Sequence, residues 1–424
     1  MFKYFVMTVE ALVTAAVMTG VLRGFLRLIS ERFGKSCGSV GALAGIAAAA
    51  VMSYMKNATT LIDTSLWNLR IFTVTIILSL LLVIFSIFRS KKVMGGISCV
   101  MGALIIALII FYALPDVLAY PYLILLTEKS VLSTGFLLKC IGILLGLLTM
   151  IVAQMAIHNG TLRLGPWQAW GVTAAVLVIN AARQFCASLG IMLNKRMLEN
   201  FDADTKHNVF ELVKFSSNNS NIFIYGAIIV MLVMPVILWI KSLRADEPYD
   251  NPAQKRKIRK KWRVTRIWAT LGAICLIFGM VTFTTLHEIA NREIPLSPVE
   301  DAKIEDGYVI VPFEQVDDGH LHRFAYVTEN DIQIRFIVIK KPDSSAYGIG
   351  LDACDVCGET GYFEKDGQVV CKLCDVVMNI QTIGFKGGCN PVVIPYEIKD
   401  GRIMVPLEGL LENEKRFKNN RMRS

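Results

Sequence analysis

A polytopic α-helical membrane domain of about eight transmembrane helices, followed by a small mostly-β domain, is the fold class that this sequence predicts. Three observations predict it. The chain is 54% hydrophobic and only 19% charged, which departs from soluble proteins in the direction of membranes. Its long apolar runs fall almost entirely within residues 1–288. Residues 289–424 have an ordinary soluble composition, with short β-type runs set around two C-x-x-C pairs. The expected division is therefore a transmembrane domain, 1–288, and a cysteine-rich domain, 289–424.

The apolar runs lie at 4–27, 38–55, 70–88, 95–115, 134–157, 167–191, 221–241 and 267–287. Each is long enough to cross the hydrocarbon core, which takes about 20 helical residues. The first run is read as a span and not as a cleaved leader. It is too long, a basic cluster follows it, and no small-x-small site closes it. The tract Ala119–Leu126 is too short to span and is expected to be interfacial or re-entrant. Gly and Ala crowd the second run (GALAGIAAAA), which suits close helix packing in lipid. Cys37, Cys99, Cys140, Cys186 and Cys275 are scattered through the helices and read as small packing residues.

Basic residues give the orientation. Arg23, Arg27, Arg32 and Lys35 follow the first run, and Arg89, Lys91 and Lys92 follow the third. Between the last two runs, within 244–266, lies Lys255-Arg-Lys-Ile-Arg-Lys-Lys261. By the positive-inside rule these three loops face the cytoplasm. The opposite loops carry Asp63, Asp116, Glu128, Asp202 and Asp204. An even number of crossings then puts both termini, and the cysteine-rich domain, on the extracytoplasmic side. The basic loop is a topology signal with lipid contact, so the net charge of +9 calls for no nucleic acid.

Four ionisable residues fall in or beside the spans: Glu10, Asp116, Lys139 and Arg183. Such residues usually pair or line a cavity. Asp116 and Lys139 sit near helix ends, whereas Glu10 and Arg183, the latter with Asn180 and Gln184 nearby, mark a candidate polar site in the outer leaflet. His158 and His287 stand at opposite ends of their helices and cannot supply a bis-His haem at one depth.

The outer domain reads as β from residue 307 on. The candidate strands are Tyr308–Pro312, Arg323–Val327, Ile332–Ile339 and Val392–Tyr396. Turn signals separate them at Asp317-Asp-Gly319, Glu329-Asn-Asp331, Asp366-Gly367 and Asp400-Gly401. A short helix near Leu407–Phe417 and a basic tail through Lys418 complete it.

Between these strands come Cys354-Asp-Val-Cys357 and, thirteen residues later, Cys371-Lys-Leu-Cys374. Two such pairs on tight turns can close a tetrahedral sulfur cage, with Asp366-Gly367 as the hairpin tip that brings them together. Soft thiolate sulfur suits iron, an iron-sulfur cluster, zinc or Cu(I). Gly358 and Asp375 stand where a haem-attachment motif needs His, so covalent haem is excluded. Cys389 is a fifth thiol in a loop with Gly384, Gly387 and Gly388, which allow close approach to a cofactor. His320 and His322 would face one side of a strand and could bind metal.

The combination Asp318-Gly-x-Leu-His-Arg-Phe-x-Tyr326, Asp352-Ala-Cys-Asp-x-Cys-Gly358, Gly361-Tyr362, Cys371-x-x-Cys374 and Thr382-Ile-Gly-x-x-Gly-Gly-Cys-Asn-Pro391 resembles the FtrD-like family of membrane iron-sulfur-containing proteins. The resemblance is dense over 305–411, and the helical region is similar to that of the family's longer members. It implies a cofactor or metal held by Cys354, Cys357, Cys371, Cys374 and Cys389, with His322 also carried over. It further implies a bacterial inner-membrane protein that works beside an iron permease and a periplasmic iron-binding protein. An R-E-x-x-E motif is absent from the first helix, where Glu10 stands alone, which argues against this chain being the permease.

The leading expectation is a redox or metal-handling accessory of iron uptake, an electron-transfer component rather than a classical enzyme. One alternative is a cation transporter worked by Glu10, Asp116 and Arg183, with a structural zinc in the outer domain. Another is a membrane-anchored thiol-disulfide protein.

Overall fold

The computed structural model describes the chain except residues 60–61, 126–132, 199–201, 244–246, 293–294, 343, 366, 375, 388 and 418–424. Glu128, Asp366, Asp375, Gly388 and Lys418, all named above, lie outside the described residues, as does the start of the 244–266 loop. The rest forms two compact units, Met1–Asn291 and Arg292–Ser424.

The first unit is helical: α1 (Phe2–Ile29), α2 (Glu31–Ala58), α3 (Thr64–Phe85), α4 (Lys92–Leu125), α5 (Thr134–Thr161), α6 (Pro166–Asn194), α7 (Ala203–Asn218), α8 (Asn221–Leu243), α9 (Pro252–Val281) and α10 (His287–Ala290). Among the described residues, eight of these helical stretches are long and apolar enough to cross a membrane; α7 is not one of them. Helix α1 is the hub. Its most apolar stretch is 72% buried against its neighbours, where the other spans reach at most 39%. A helix enclosed on all sides must be apolar on all sides, and α1 carries no charge between Glu10 and Arg23.

Small residues set a close helix contact between α2 and α4. A Cβ on Gly41 of α2 would lie 2.3 Å from the Ala103 carbonyl oxygen of α4, and one on Gly45 would lie 2.8 Å from that of Ala107. The glycine-rich run therefore does what its composition suggests: it lets two backbones touch.

Three expectations are corrected in this unit. The tract from Ala119 is no re-entrant element, because α4 runs on through Pro115 and Pro121 to Leu125. Proline is tolerated there because neighbouring groups take up the backbone groups that it frees. The Ser53 hydroxyl of α2 donates to the Pro115 carbonyl at 3.0 Å and so ties α2 to α4 at this point. Asp116 consequently lies within a helix and not at its end. Second, α7 is an unforeseen sixteen-residue helix, capped by the Asp202 carboxylate accepting from the Thr205 amide at 3.0 Å. Its polar composition is below the span threshold, so only the cap residue signalled it. Third, Lys255–Lys261 is not a loop. It occupies the opening turns of α9, which Asn251 caps by accepting from the Gln254 amide at 2.8 Å.

Among the described residues, the second unit contains three antiparallel sheets. The first has four strands in the order β1 (Lys303–Glu305), β2 (Tyr308–Pro312), β10 (Arg402–Pro406), β9 (Glu397–Lys399). The second is β3 (His322–Val327), β4 (Gln333–Lys340), β5 (Tyr347–Leu351), and the third is β6 (Tyr362–Lys365), β7 (Gln368–Cys371), β8 (Val377–Met378). Short helices α11 (Phe313–Val316) and α12 (Leu407–Leu411) follow β2 and β10. A 3₁₀ turn, Glu414–Phe417, replaces the second half of the expected C-terminal helix.

Strand β4 is buried on both faces, so it holds the domain together. Ile334, Phe336 and Val338 enter one core with Val309, Phe324 and Val405. Ile337 and Ile339 enter a second core with Tyr362, Val369, Cys354 and Cys371. The alternation of a strand thus sends one face to the structural core and the other to the cysteines. The expected strand Val392–Tyr396 is instead irregular. Pro391 and Pro395 remove ladder donors from it. It keeps only a local exchange in which Leu351 N donates to Val392 O at 2.8 Å and Val392 N to Ala353 O at 3.0 Å.

Candidate metal centre

All ten cysteines are free, and five of them lie in the outer unit. The first knuckle is a tight turn. Cys354 and Gly358 exchange backbone hydrogen bonds at 3.1 and 3.0 Å, and Gly358 takes φ +66°. The turn aims the Cys357 amide at the Cys354 sulfur, to which it donates at 3.0 Å. The second knuckle leaves the end of β7, where Cys371 N donates to Val376 O at 3.0 Å. The β6–β7 hairpin pairs Tyr362 with Cys371 across the strands, which brings this knuckle back over the first.

The Sγ atoms of Cys357, Cys371 and Cys374 all lie within 4.8 Å of one another. Cys389 Sγ is 4.0 Å from Cys374 Sγ. Cys354 and Cys371 are buried, whereas Cys374 is exposed and Cys389 half-buried. The cluster of Cys357, Cys371 and Cys374, in which the Cys354 sulfur is not grouped, thus has a buried side at Cys371 and an accessible edge formed by Cys374 and Cys389. Burial, with neighbouring thiols, raises the Cys357 thiol above its usual range. Burial raises Cys371 as well, although the Cys374 and Leu373 amides favour its thiolate. Crowded thiols resist ionisation until a cation compensates the charge, and metal binding displaces their protons. The donor set is sulfur only, which fits a thiolate-bound iron, an iron-sulfur cluster or zinc.

Beneath the knuckles lies a charged layer whose residues were legible as a motif but not as a structure. Asp352 is fully buried. Its Oδ2 accepts from Arg323 Nε at 2.8 Å and from Arg335 Nε at 3.0 Å, and its Oδ1 accepts from the Tyr362 amide at 2.8 Å. Arg323 also donates to the Tyr362 carbonyl and to Ser297 O at 2.5 Å. Arg335 reaches the Glu359 carbonyl at 2.7 Å. These bonds fix the backbone on both sides of the first knuckle. Gly361 is required here: at φ +84°, a Cβ would lie 2.8 Å from the Asp352 carboxylate. The Tyr362 hydroxyl donates to the Cys389 carbonyl at 2.6 Å and so ties the fifth-cysteine loop to the centre. Asp352 spends its carboxylate on Arg323, Arg335 and the Tyr362 amide, partners far apart in sequence, which is why only the fold exposes the layer's role.

The histidines behave otherwise than the strand periodicity suggests. His320 precedes β3 and its Nδ1 pairs with Glu364 at 2.9 Å. His322 Nδ1 pairs with Glu300 and its Nε2 with Asp318, both at 2.8 Å. The two rings hold different carboxylates and do not converge. The membrane residues also separate. Glu10 pairs with His287 at 2.8 Å and Asp116 with Lys56 at 3.1 Å, while Arg183 lines a cleft with Asn180.

Residues 316–417, which include this whole cluster, match the family model described as membrane iron-sulfur containing protein FtrD-like. No curated protein and no solved structure matches the chain.

Proposed function

We propose that this multi-pass chain, FtrD-like over residues 316–417, is a bacterial inner-membrane accessory of iron uptake whose outer domain holds an iron or iron-sulfur centre. The observation that carries the reading is the fifth thiol. Four thiolates already complete a structural zinc cage. Cys389 nevertheless sits 4.0 Å from Cys374, at the accessible edge. Cys354, Cys357, Cys371 and Cys374 would hold the centre, and Cys389 would ligate it or meet a partner's metal at its open side. When bound, the centre would supply one-electron exchange or iron transfer, in concert with a permease and a periplasmic iron-binding protein. The cation-transporter reading is weakened because Glu10 and Asp116 each already hold a cationic or imidazole partner. His322 belongs to the domain's carboxylate clamps in this reading, and it would ligate only by releasing Glu300 or Asp318.

The test is metal content, acid-labile sulfide and absorption spectrum of the full-length protein purified without oxygen. Bound iron with thiolate charge-transfer bands, lost in Cys371→Ser, is expected. Stoichiometric zinc with no iron would overturn the redox reading. Cys389→Ser should leave the outer domain folded, since Tyr362 binds the backbone carbonyl and not the thiol, while iron-dependent growth falls.

A further inference from the structure

Three arginines and a histidine gather where α1 and α5 end side by side. Arg23 and Arg27 stand about one helical turn apart on α1, Arg27 in its last turn, and His158 lies in the last turn of α5. Arg163 follows shortly after α5 ends at Thr161. The two helices touch at this level, since a Cβ on Gly24 would lie 3.0 Å from the His158 carbonyl oxygen. The cations whose field reaches the His158 ring are Arg23, Arg27 and Arg163. These residues are therefore one cluster and not separate surface charges.

Nothing among the described residues neutralises it. Arg163 donates to the Asn159 backbone carbonyl at 2.5 Å, and neither Arg23 nor Arg27 has a carboxylate partner. Glu31, the acid nearest to Arg27 along the chain, is exposed at the start of α2. His158 Nδ1 and, one turn earlier on the same helix face, Gln154 Nε2 are buried without a hydrogen-bond partner among the described residues. Buried polar groups are normally satisfied, and like charges held together repel. An anion that accepts several hydrogen bonds at once relieves both costs, and phosphate oxygens suit guanidinium groups best.

The surroundings favour a lipid over a soluble anion. Ile151, Val152 and Met155 of α5, nearer the middle of the span than His158, are all exposed. They make an apolar strip that leads away from the cluster along a helix of spanning length. A phosphate seated at the arginines can lay its acyl chains on that strip, and basic pockets between spanning helices are where anionic headgroups settle.

We infer that the ends of α1 and α5 form a binding site for the phosphate of an anionic phospholipid, held by Arg23, Arg27 and Arg163 with His158 as a further donor. The inference does not depend on the metal centre.

The test titrates the full-length protein in mild detergent with dioleoyl phosphatidylglycerol, read by native mass spectrometry at constant ionic strength. One retained lipid per chain is expected, with dioleoyl phosphatidylcholine held about tenfold more weakly. Arg23→Gln combined with Arg27→Gln should weaken retention about tenfold or more at unchanged helix content, the loss of charge-assisted hydrogen bonds. Arg163→Gln lies beyond the helix end and should weaken it in the same direction without disturbing α1. Lys257→Gln combined with Lys260→Gln removes two exposed cations from α9 and should leave retention unchanged. Wild-type retention in both sets of arginine variants would overturn the site. Equal loss in the α9 variant, or equal retention of phosphatidylcholine by the wild type, would overturn it in favour of general attraction to a basic surface. Full displacement by inorganic phosphate would overturn the lipid as the source of the phosphate. Retention should persist in Cys371→Ser, so failure of the metal reading and failure of the lipid site are separate results.

Discussion

Arg323 and Asp352 face each other at 1% and 0% exposure, which leaves neither side chain a share of solvent to fall back on. Removing Arg323 takes one of two guanidinium partners from the buried Asp352 and leaves Arg335 to compensate it alone, so the cost falls below the ~3–5 kcal/mol of a fully stranded buried charge. Arg323→Met should therefore unfold or loosen the knuckle region, and limited proteolysis of the full-length protein would show new cleavage between residues 350 and 365. Cleavage unchanged from wild type would remove this layer from the account. His322 offers a pH test. Burial lowers its affinity for protons, but the hydrogen bonds to Asp318 and Glu300 outweigh it, so its pKa is raised above the ordinary value. A group whose pKa rises on folding stabilises fully below its unfolded value, about 6.5, and loses that contribution as pH climbs through the folded value. Outer-domain stability should thus decline from pH 6 to pH 9, and His322→Gln should flatten that decline. An identical slope in the variant would show that the clamp does not titrate.

At the scale of elements, the pairing of α2 with α4 depends on the absence of side chains. Gly41→Val would push a branched side chain into the Ala103 carbonyl of α4. Overpacking of this kind costs roughly 1–3 kcal/mol. Gly96, on α4, has nothing within 4 Å of its virtual Cβ, so Gly96→Ala should hold or raise thermal stability. Equal Tm values for the two variants would contradict close contact as the reason for the glycine-rich run. A second element-scale feature is the π turn Thr282–Leu286, which comes immediately before His287. Such single-turn widenings recur at functional positions, and this one precedes the pair with Glu10. The periodicity of an apolar helix gives no sign of it.

Among the described residues, eight helices are long and apolar enough to cross a membrane, and eight crossings would return the chain to the side from which it began. With the basic opening of α9 on the cytoplasmic side, the cysteine-bearing unit is expected outside. A C-terminal alkaline phosphatase fusion should be active in intact cells and a fluorescent-protein fusion dark. The reverse pattern would place the centre in the cytoplasm and end its role beside a periplasmic iron carrier.

Composition, run length and the C-x-x-C spacing by themselves determined the membrane class, the candidate spans, the β character of the outer domain and which thiols are candidate donors. Each of these follows from local chemistry, since a span needs only length and apolarity, and a knuckle needs only its turn. Tertiary structure alone decided which distant groups meet. Asp352 gains its meaning from Arg323 and Arg335, which lie on neighbouring strands and carry no local signal of a shared partner. Glu10 and Arg183 looked alike as costly charges in helices, yet Glu10 found a partner in His287 and Arg183 faced an apolar cleft. Helix packing makes that distinction, because desolvation is settled by what surrounds a charge in space and not by its neighbours along the chain.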